Sequence, residues 1–288
     1  MRTVRTIAEV RAAVADATNV GLVPTMGAFH AGHLSLMAAA RKACDTVVVS
    51  LFVNPAQFDE AADLAAYPRD EAQDAAQAQA AGVDILFAPG AREMYPDGFA
   101  TTVRVDGLSD VLEGAERGPG HFAGVCTVVA KLLNIVGPDV AFFGQKDAQQ
   151  VAVLRRMVRD LDIPVRLQVE PTVRDPDGLA ISSRNRRLSP RERERALGLS
   201  RALRAAGEAA ARGERGAEAI RAAALGALGG VDGLRPEYVA VVDPDSFEPI
   251  RTARGRVLVA VAARIGATRL IDNAIVEPAA TPAGAPTT

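Results

Sequence analysis

The chain has 288 residues, a formal net charge of −2 and two cysteines, and 49% of its residues are hydrophobic. That length predicts one large or two moderate domains with ample core, and the near-neutral charge leaves no electrostatic footprint for DNA or RNA. No stretch approaches the roughly 20 apolar residues of a membrane span, and the charged N-terminal segment carries no signal-peptide run, so a cytoplasmic protein with no membrane or nucleic-acid partner is expected.

Short β-rich runs alternate with helical patterns through the first 170 residues. Val20–Pro24, Thr46–Phe52, Asp84–Ala88, Val140–Phe143 and Val165–Val169 read as strands of largely apolar content, as in a parallel sheet covered on both faces. Leu34–Cys44, Arg69–Ala81, Phe122–Val136 and Asp147–Leu161 read as helices, with Gly82 and Gly137 at helix ends. This predicts an α/β fold, a Rossmann-like doubly wound parallel sheet, over residues 1–172. Over 173–277 a smaller C-terminal α+β domain is expected. It starts with a long helix capped by Ser189 and Glu192, and strands follow at Tyr238–Val242, Arg256–Ala262 and Arg269–Ile271. Residues 278–288, rich in Ala, Pro and Thr, read as a disordered tail. Cys44 and Cys126 lack metal-ligand spacing and read as buried thiols.

Chemistry-bearing residues fall where strands end. After the first run, His30 and His33 sit three apart with Gly27 and Gly32 beside them. At a strand-to-helix junction, open backbone N–H groups and the helix dipole favour a phosphate, and two imidazoles can donate to phosphoryl oxygens as charge builds. After the second run, Asn54 and Gln57 offer neutral donors and acceptors that could grip a hydroxylated small molecule. After the fourth, Gly144 permits close approach, Lys146 supplies a mobile charge, and Asp147 can cap a helix or bind a ribose hydroxyl. Only Lys42, Lys131 and Lys146 among 33 basic residues are lysines, so a compact ammonium at 146 asks for a reason. Ser182, Ser183 and Arg184 place two hydroxyls and a guanidinium on one short anion-binding segment. No P-loop string is present.

The junction at His30 and His33 resembles the HxGH signature of the nucleotidylyltransferase superfamily. The wider strings Pro24-Thr25-Met26-Gly27, Asn54-Pro55-Ala56-Gln57, Tyr67-Pro68-Arg69-Asp70, Gly120-His121-Phe122-Ala123-Gly124-Val125, Gly144-Gln145-Lys146-Asp147 and Ile181-Ser182-Ser183-Arg184-Asn185 occur in the order of one branch, the pantoate–β-alanine ligases. The chain departs from that family's pattern at Ala56, where a larger residue is usual. It departs again at Gln145, which replaces a frequent Glu, and at Gly118, an extra residue between Arg117 and His121.

The resemblance implies ATP-dependent condensation of (R)-pantoate with β-alanine through an enzyme-bound pantoyl adenylate, releasing AMP and pyrophosphate. It implies catalytic roles for His30, His33 and Lys146. ATP binding would involve Met26, Gly27, Ala28, Phe29, Ala31 and Gly32 with the two histidines, then Gly144, Gln145, Lys146 and Asp147, then Val173, Ile181, Ser182, Ser183 and Arg184. Gln57, Gln150, Asn54 and His121 would serve pantoate and β-alanine, Asp74 would help hold Mg²⁺ on the triphosphate, and the family suggests a homodimer. Two alternatives stay open on the residues alone: a nucleotidyltransferase that releases an adenylylated product, and a non-catalytic nucleotide-binding module.

Overall fold

The computed structural model describes residues 1–58, 64–65 and 67–279. They form two compact units, Met1–Val173 and a second that begins at Arg174.

The first unit is built on six strands: β1 (Arg2–Val4), β2 (Val20–Thr25), β3 (Thr46–Leu51), β4 (Ile85–Phe87), β5 (Val140–Gly144) and β6 (Arg166–Glu170). They lie in the order β1-β4-β3-β2-β5-β6, all parallel. Val47, Val48 and Val49 in the middle of β3 are fully buried, as a strand covered on both faces must be. The helices are α1 (Ile7–Val14), α2 (Ala31–Ala43), α3 (Glu71–Ala80), α4 (Ala91–Met94), α5 (Glu113–Arg117), α6 (Pro119–Val136) and α7 (Ala148–Asp160). Gly137, in left-handed backbone (φ 60°), closes α6 by donating to the Leu133 carbonyl.

From β2 the chain runs through β3 and β4 toward one edge of the sheet, then returns to build β5 and β6 on the other side. The order therefore reverses between β2 and β5, and a crevice outside the carboxyl ends of those two strands is where such sheets bind ligands.

The short helices α4 and α5 were not expected from the sequence, and neither were three further elements. β1 is three residues long with Arg2 and Thr3 exposed, too short for a periodic signal. α1 carries a full capping box, Thr6 with Glu9, so its start was readable from Thr6-Ile7-Ala8-Glu9. The third lies in the second unit, where α8 (Pro190–Ala211) starts at the expected Ser189–Glu192 capping box and is followed by the unforeseen α9 (Ala217–Gly229), which has no side-chain cap. Three antiparallel strands, β7 (Leu234–Val242), β8 (Val257–Ile265) and β9 (Thr268–Val276), complete this unit.

The expectation of a disordered tail fails at its first two residues. Pro278 is buried, and the Ala279 N–H donates to the Ala210 carbonyl at 3.1 Å. Residues 280–288 lie outside the described residues.

Candidate active site

β2 delivers the chain to the carboxyl edge of the sheet and into a bent loop. Gly27 (φ 84°) and Ala28 (φ 53°) both adopt left-handed backbone. For Ala28 that conformation costs on the order of 1 kcal/mol, so something must hold it. Asp74, in the first turn of α3 and 2% exposed, does so. Its Oδ2 accepts from the Ala28 N–H and its Oδ1 from the Phe29 N–H, each at 2.8 Å. A Cβ on residue 27 would lie 2.8 Å from Asp74 Oδ2, which explains why glycine stands there.

The loop ends on His30, which is the N-cap of α2. Its Nδ1 accepts from the Gly32 N–H at 3.2 Å, which leaves the proton of the neutral ring on Nε2. Its carbonyl accepts from the N–H groups of His33 (2.8 Å) and Leu34 (3.1 Å). Histidine is an uncommon N-cap, so the sequence pattern placed the helix start three residues late, at Leu34. The backbone N–H groups of Ala28, Phe29, Gly32 and His33 are thus taken within the protein, not left open for a phosphate as expected. An anion placed here would meet the imidazoles and the helix dipole.

The rings of His30 and His33 stack at 4.1 Å between centroids, with Phe29 packed 5.5 Å from His33. His33 Nδ1 is buried with no hydrogen-bond partner among the described residues. Burial, reinforced by His30, pushes the His33 pKa down from 6.5 to about 3. The ring is neutral at physiological pH, a hydrogen-bonding group and not a fixed charge. Asp147 and Lys146 act on the same ring in opposite senses, which places the segment after β5 beside it. There Lys146, its side chain 17% exposed, stands 4.0 Å from the Asp147 carboxylate.

The turn after β3 carries Gln57. Asn54 caps that turn and is 1% exposed, with bonds at both ends of its amide. Its Nδ2 donates to Gln57 Oε1 and to the Gly124 carbonyl, each at 3.1 Å, and its Oδ1 accepts from the Ala56 N–H (3.2 Å) and the Tyr95 hydroxyl (2.8 Å). So buried and so fully bonded, Asn54 supports Gln57 and is not itself in a position to grip a ligand. His121 does similar work. The Gln57 carbonyl can only accept, so His121 Nδ1–H donates to it, at 3.0 Å. Gly124 lets α6 approach, because a Cβ there would fall 2.2 Å from the Ala56 carbonyl oxygen. The extra Gly118, with φ 83°, is the joint between α5 and α6, and Arg117 before it pairs with Glu113 at 3.1 Å.

On α7 the paired glutamines divide. Gln149 is buried, its amide accepting from the Glu113 N–H (3.0 Å) and donating to the carbonyls of Leu108 (2.9 Å) and Val111 (2.7 Å). Gln150, partly exposed, is the one open to a ligand.

Val173 is the last residue of the first unit. The remaining candidates, Ile181, Ser182, Ser183 and Arg184, belong to the second. Ser182 Oγ accepts from the Arg184 N–H at 3.3 Å, and Asn185 Nδ2 donates to the Ala180 carbonyl at 2.9 Å. At the base of the segment Arg174 grips buried Asp272 with two bonds, 2.6 and 2.9 Å long, and donates to the Gly178 carbonyl at 3.1 Å.

The model of the family described as pantoate-beta-alanine ligase matches residues 2–275. The chain belongs to this family. A pantothenate synthetase of Heliobacterium modesticaldum is 52% identical over 281 residues, covering 96% of this chain and 100% of that protein. That of Koribacter versatilis is 51% identical over 283 residues, with 97% of each chain covered. The crystal structure of pantothenate synthetase from Thermus thermophilus superposes with a TM-score of 0.92 at 50% identity, covering 96% of this chain and 100% of that one. A pantoate-beta-alanine ligase from Francisella tularensis, complexed with beta-gamma ATP and β-alanine, gives a TM-score of 0.77 at 33% identity over 96% of this chain and 97% of that one. As a pantoate-beta-alanine ligase, the chain is an enzyme that joins its two substrates through a C–N bond.

Site residues that the sequence reading passed over are Tyr95 and Gln149. Neither stands in a motif, and both act through hydrogen bonds to residues distant in sequence.

Proposed function

We propose that the enzyme makes pantothenate in two steps outside the carboxyl ends of β2, β3 and β5. A pantoate carboxylate oxygen attacks the α-phosphorus of ATP, the bond to the bridging oxygen breaks, and pyrophosphate leaves. The neutral amine of β-alanine then attacks the acyl carbon of pantoyl adenylate, the C–O bond to AMP breaks, and the amine gives up its proton. The observation that carries this reading is the stacked pair His30 and His33, the latter held neutral, at the point where the strand order reverses and beside Lys146.

No covalent step is asked of the protein, so its task is positioning and charge stabilisation. The imidazole N–H groups of His30 and His33 donate to the α-phosphoryl oxygens as they gain charge, and the Lys146 ammonium follows the phosphates. Met26 to Gly32 and Gly144, Gln145 and Asp147 line the nucleotide on the first unit. Val173, Ile181, Ser182, Ser183 and Arg184 are assigned to it by their motif, with hydroxyl and guanidinium donors suited to phosphate. Gln57 and Gln150 hold pantoate. His121 and Asn54 act through Gln57.

Mg²⁺ is part of the proposal as the ion carried by the triphosphate, where it would neutralise phosphate charge. Asp74 has the right donor type: each carboxylate oxygen accepts one N–H and keeps a second lone pair. Gly27 leaves clear the space that a Cβ would fill beside Oδ2. Such an ion would be held mainly by phosphate and water. A homodimer and a cytoplasmic location complete the reading. The dimer rests on the family resemblance. The location rests on the biosynthetic relatives.

AMP release tests the reading. It should require ATP, pantoate and β-alanine together, and multiple turnovers of pyrophosphate release with no AMP would favour a nucleotidyltransferase. Run across Mg²⁺ concentrations, the same assay should show a higher metal requirement for Asp74→Asn. An unchanged requirement would reduce Asp74 to a loop anchor. Light scattering should return twice the mass of the chain, and a monomer would remove the dimer. Fractionated cells should hold the activity in the cytosol.

A further inference from the structure

Gln57 has two chemically opposite amide ends, and which one meets the substrate decides what it can bind. The surrounding bonds leave no choice. The Ala56 N–H can only donate and the Gly124 carbonyl can only accept, so Asn54 is oriented with Oδ1 toward the first and Nδ2 toward the second. Nδ2 also meets Gln57, and the only Gln57 side-chain atom able to accept from it is Oε1, at 3.1 Å. The donor end, Nε2, is left to face onward. Its contact there is Met26 Sδ at 2.9 Å, a weak thioether acceptor that an incoming oxygen can displace.

Of the two bonds that hold Asn54 Oδ1, the one from Ala56 is long at 3.2 Å, and the one from the Tyr95 hydroxyl is short at 2.8 Å. Tyr95 follows α4, with its ring against Phe52 and Phe99 at centroid distances of 6.1 and 5.0 Å. We propose that Tyr95, acting through Asn54, is a positioning residue that locks Gln57 with its amide N–H groups toward pantoate. Burial pushes the phenol up to about 12, so the hydroxyl keeps its proton and remains a donor across the working pH range. A donor face accepts the carboxylate or hydroxyl oxygens of a hydroxy acid and repels the ammonium of an amino acid.

This inference rests on the reading of Gln57 as a pantoate ligand, and its test separates the two. Tyr95→Phe keeps the ring packing and deletes only the hydroxyl. Steady-state kinetics should show kcat/KM for pantoate falling about three- to tenfold, the size of one neutral hydrogen bond, with the value for ATP within twofold of wild type. In a Gln57→Ala background the same substitution should have no further effect on pantoate, because the group it orients is gone. Unchanged pantoate kinetics, equal losses for pantoate and ATP, or the same loss in both backgrounds would each overturn the proposal. A Gln57→Ala enzyme with wild-type pantoate kinetics would instead overturn the parent reading of Gln57.

Discussion

His33 shows at the scale of one side chain how burial converts a common residue into a specialised one. Folded, it refuses a proton down to about pH 3, whereas in the unfolded chain it takes one near 6.5. Between those values the unfolded state binds more protons, so acid weakens the fold by up to about 1.4 kcal/mol per pH unit on this residue's account. Above 6.5 His33 contributes no pH dependence. His33→Asn, which cannot titrate, should therefore lose about 1 kcal/mol less than wild type in urea unfolding free energy between pH 7.5 and 5.5. Equal losses would show that His33 is not buried neutral. The same variant should lower single-turnover adenylation by about 10²–10³, the cost of one transition-state donor.

Lys146 makes a different claim. A guanidinium keeps the charge but demands a planar fork, where an ammonium can swing between oxygens. Lys146→Arg should reduce turnover more than about tenfold, while Lys42→Arg, on an exposed face of α2, should be silent. If both keep full activity, Lys146 is not a phosphate ligand. At this scale the sequence singles out residues whose chemistry is carried by their own type, the histidines, Lys146 and the glutamines, and the fold gathers them at one edge of the sheet. Asn54 fits a ligand contact by type, and its burial and four hydrogen bonds, which sequence cannot show, place it behind Gln57.

At the scale of elements, the site depends on how closely α6 meets the turn that carries Gln57. Gly124 makes that contact backbone to backbone, with no side chain able to give way: a Cβ would meet Ala56 O at 2.2 Å and Gln57 N at 2.7 Å. Gly124→Ala must push the turn aside. A misplacement of about 1 Å is expected to cost on the order of 100-fold in kcat/KM for pantoate. Gly226→Ala on α9, where an added Cβ meets nothing within 4 Å, should leave activity intact. Comparable kinetics for the two variants would contradict the packing argument. The inner parallel strands β2 to β5 were legible because strands buried on both faces are continuously apolar, and α8 because its cap is explicit. α9 was not. It starts at Gly216 without a side-chain cap and contains Gly226 and Gly229, so its pattern carries punctuation that belongs to loops.

Over the whole molecule, the strand order brings together segments far apart in the chain. β3, β2 and β5 are neighbours, and each releases its motif at the same edge: Asn54 to Gln57, Met26 to His33, and Gly144 to Asp147. Alternation of strands and helices foretold the side of the sheet. It could not foretell the order, which depends on non-local pairing, nor the hydrogen bonds donated by Tyr95 and accepted by Asp74 that cross between segments. What unites the arrangement is in-line attack by a substrate carboxylate on the α-phosphorus. Pantoate labelled with ¹⁸O in its carboxylate tests this directly, by mass spectrometry of the AMP released in the presence of β-alanine. One labelled oxygen should appear in the phosphate of AMP, left there when the amine displaces the adenylate, and AMP free of label would contradict the account.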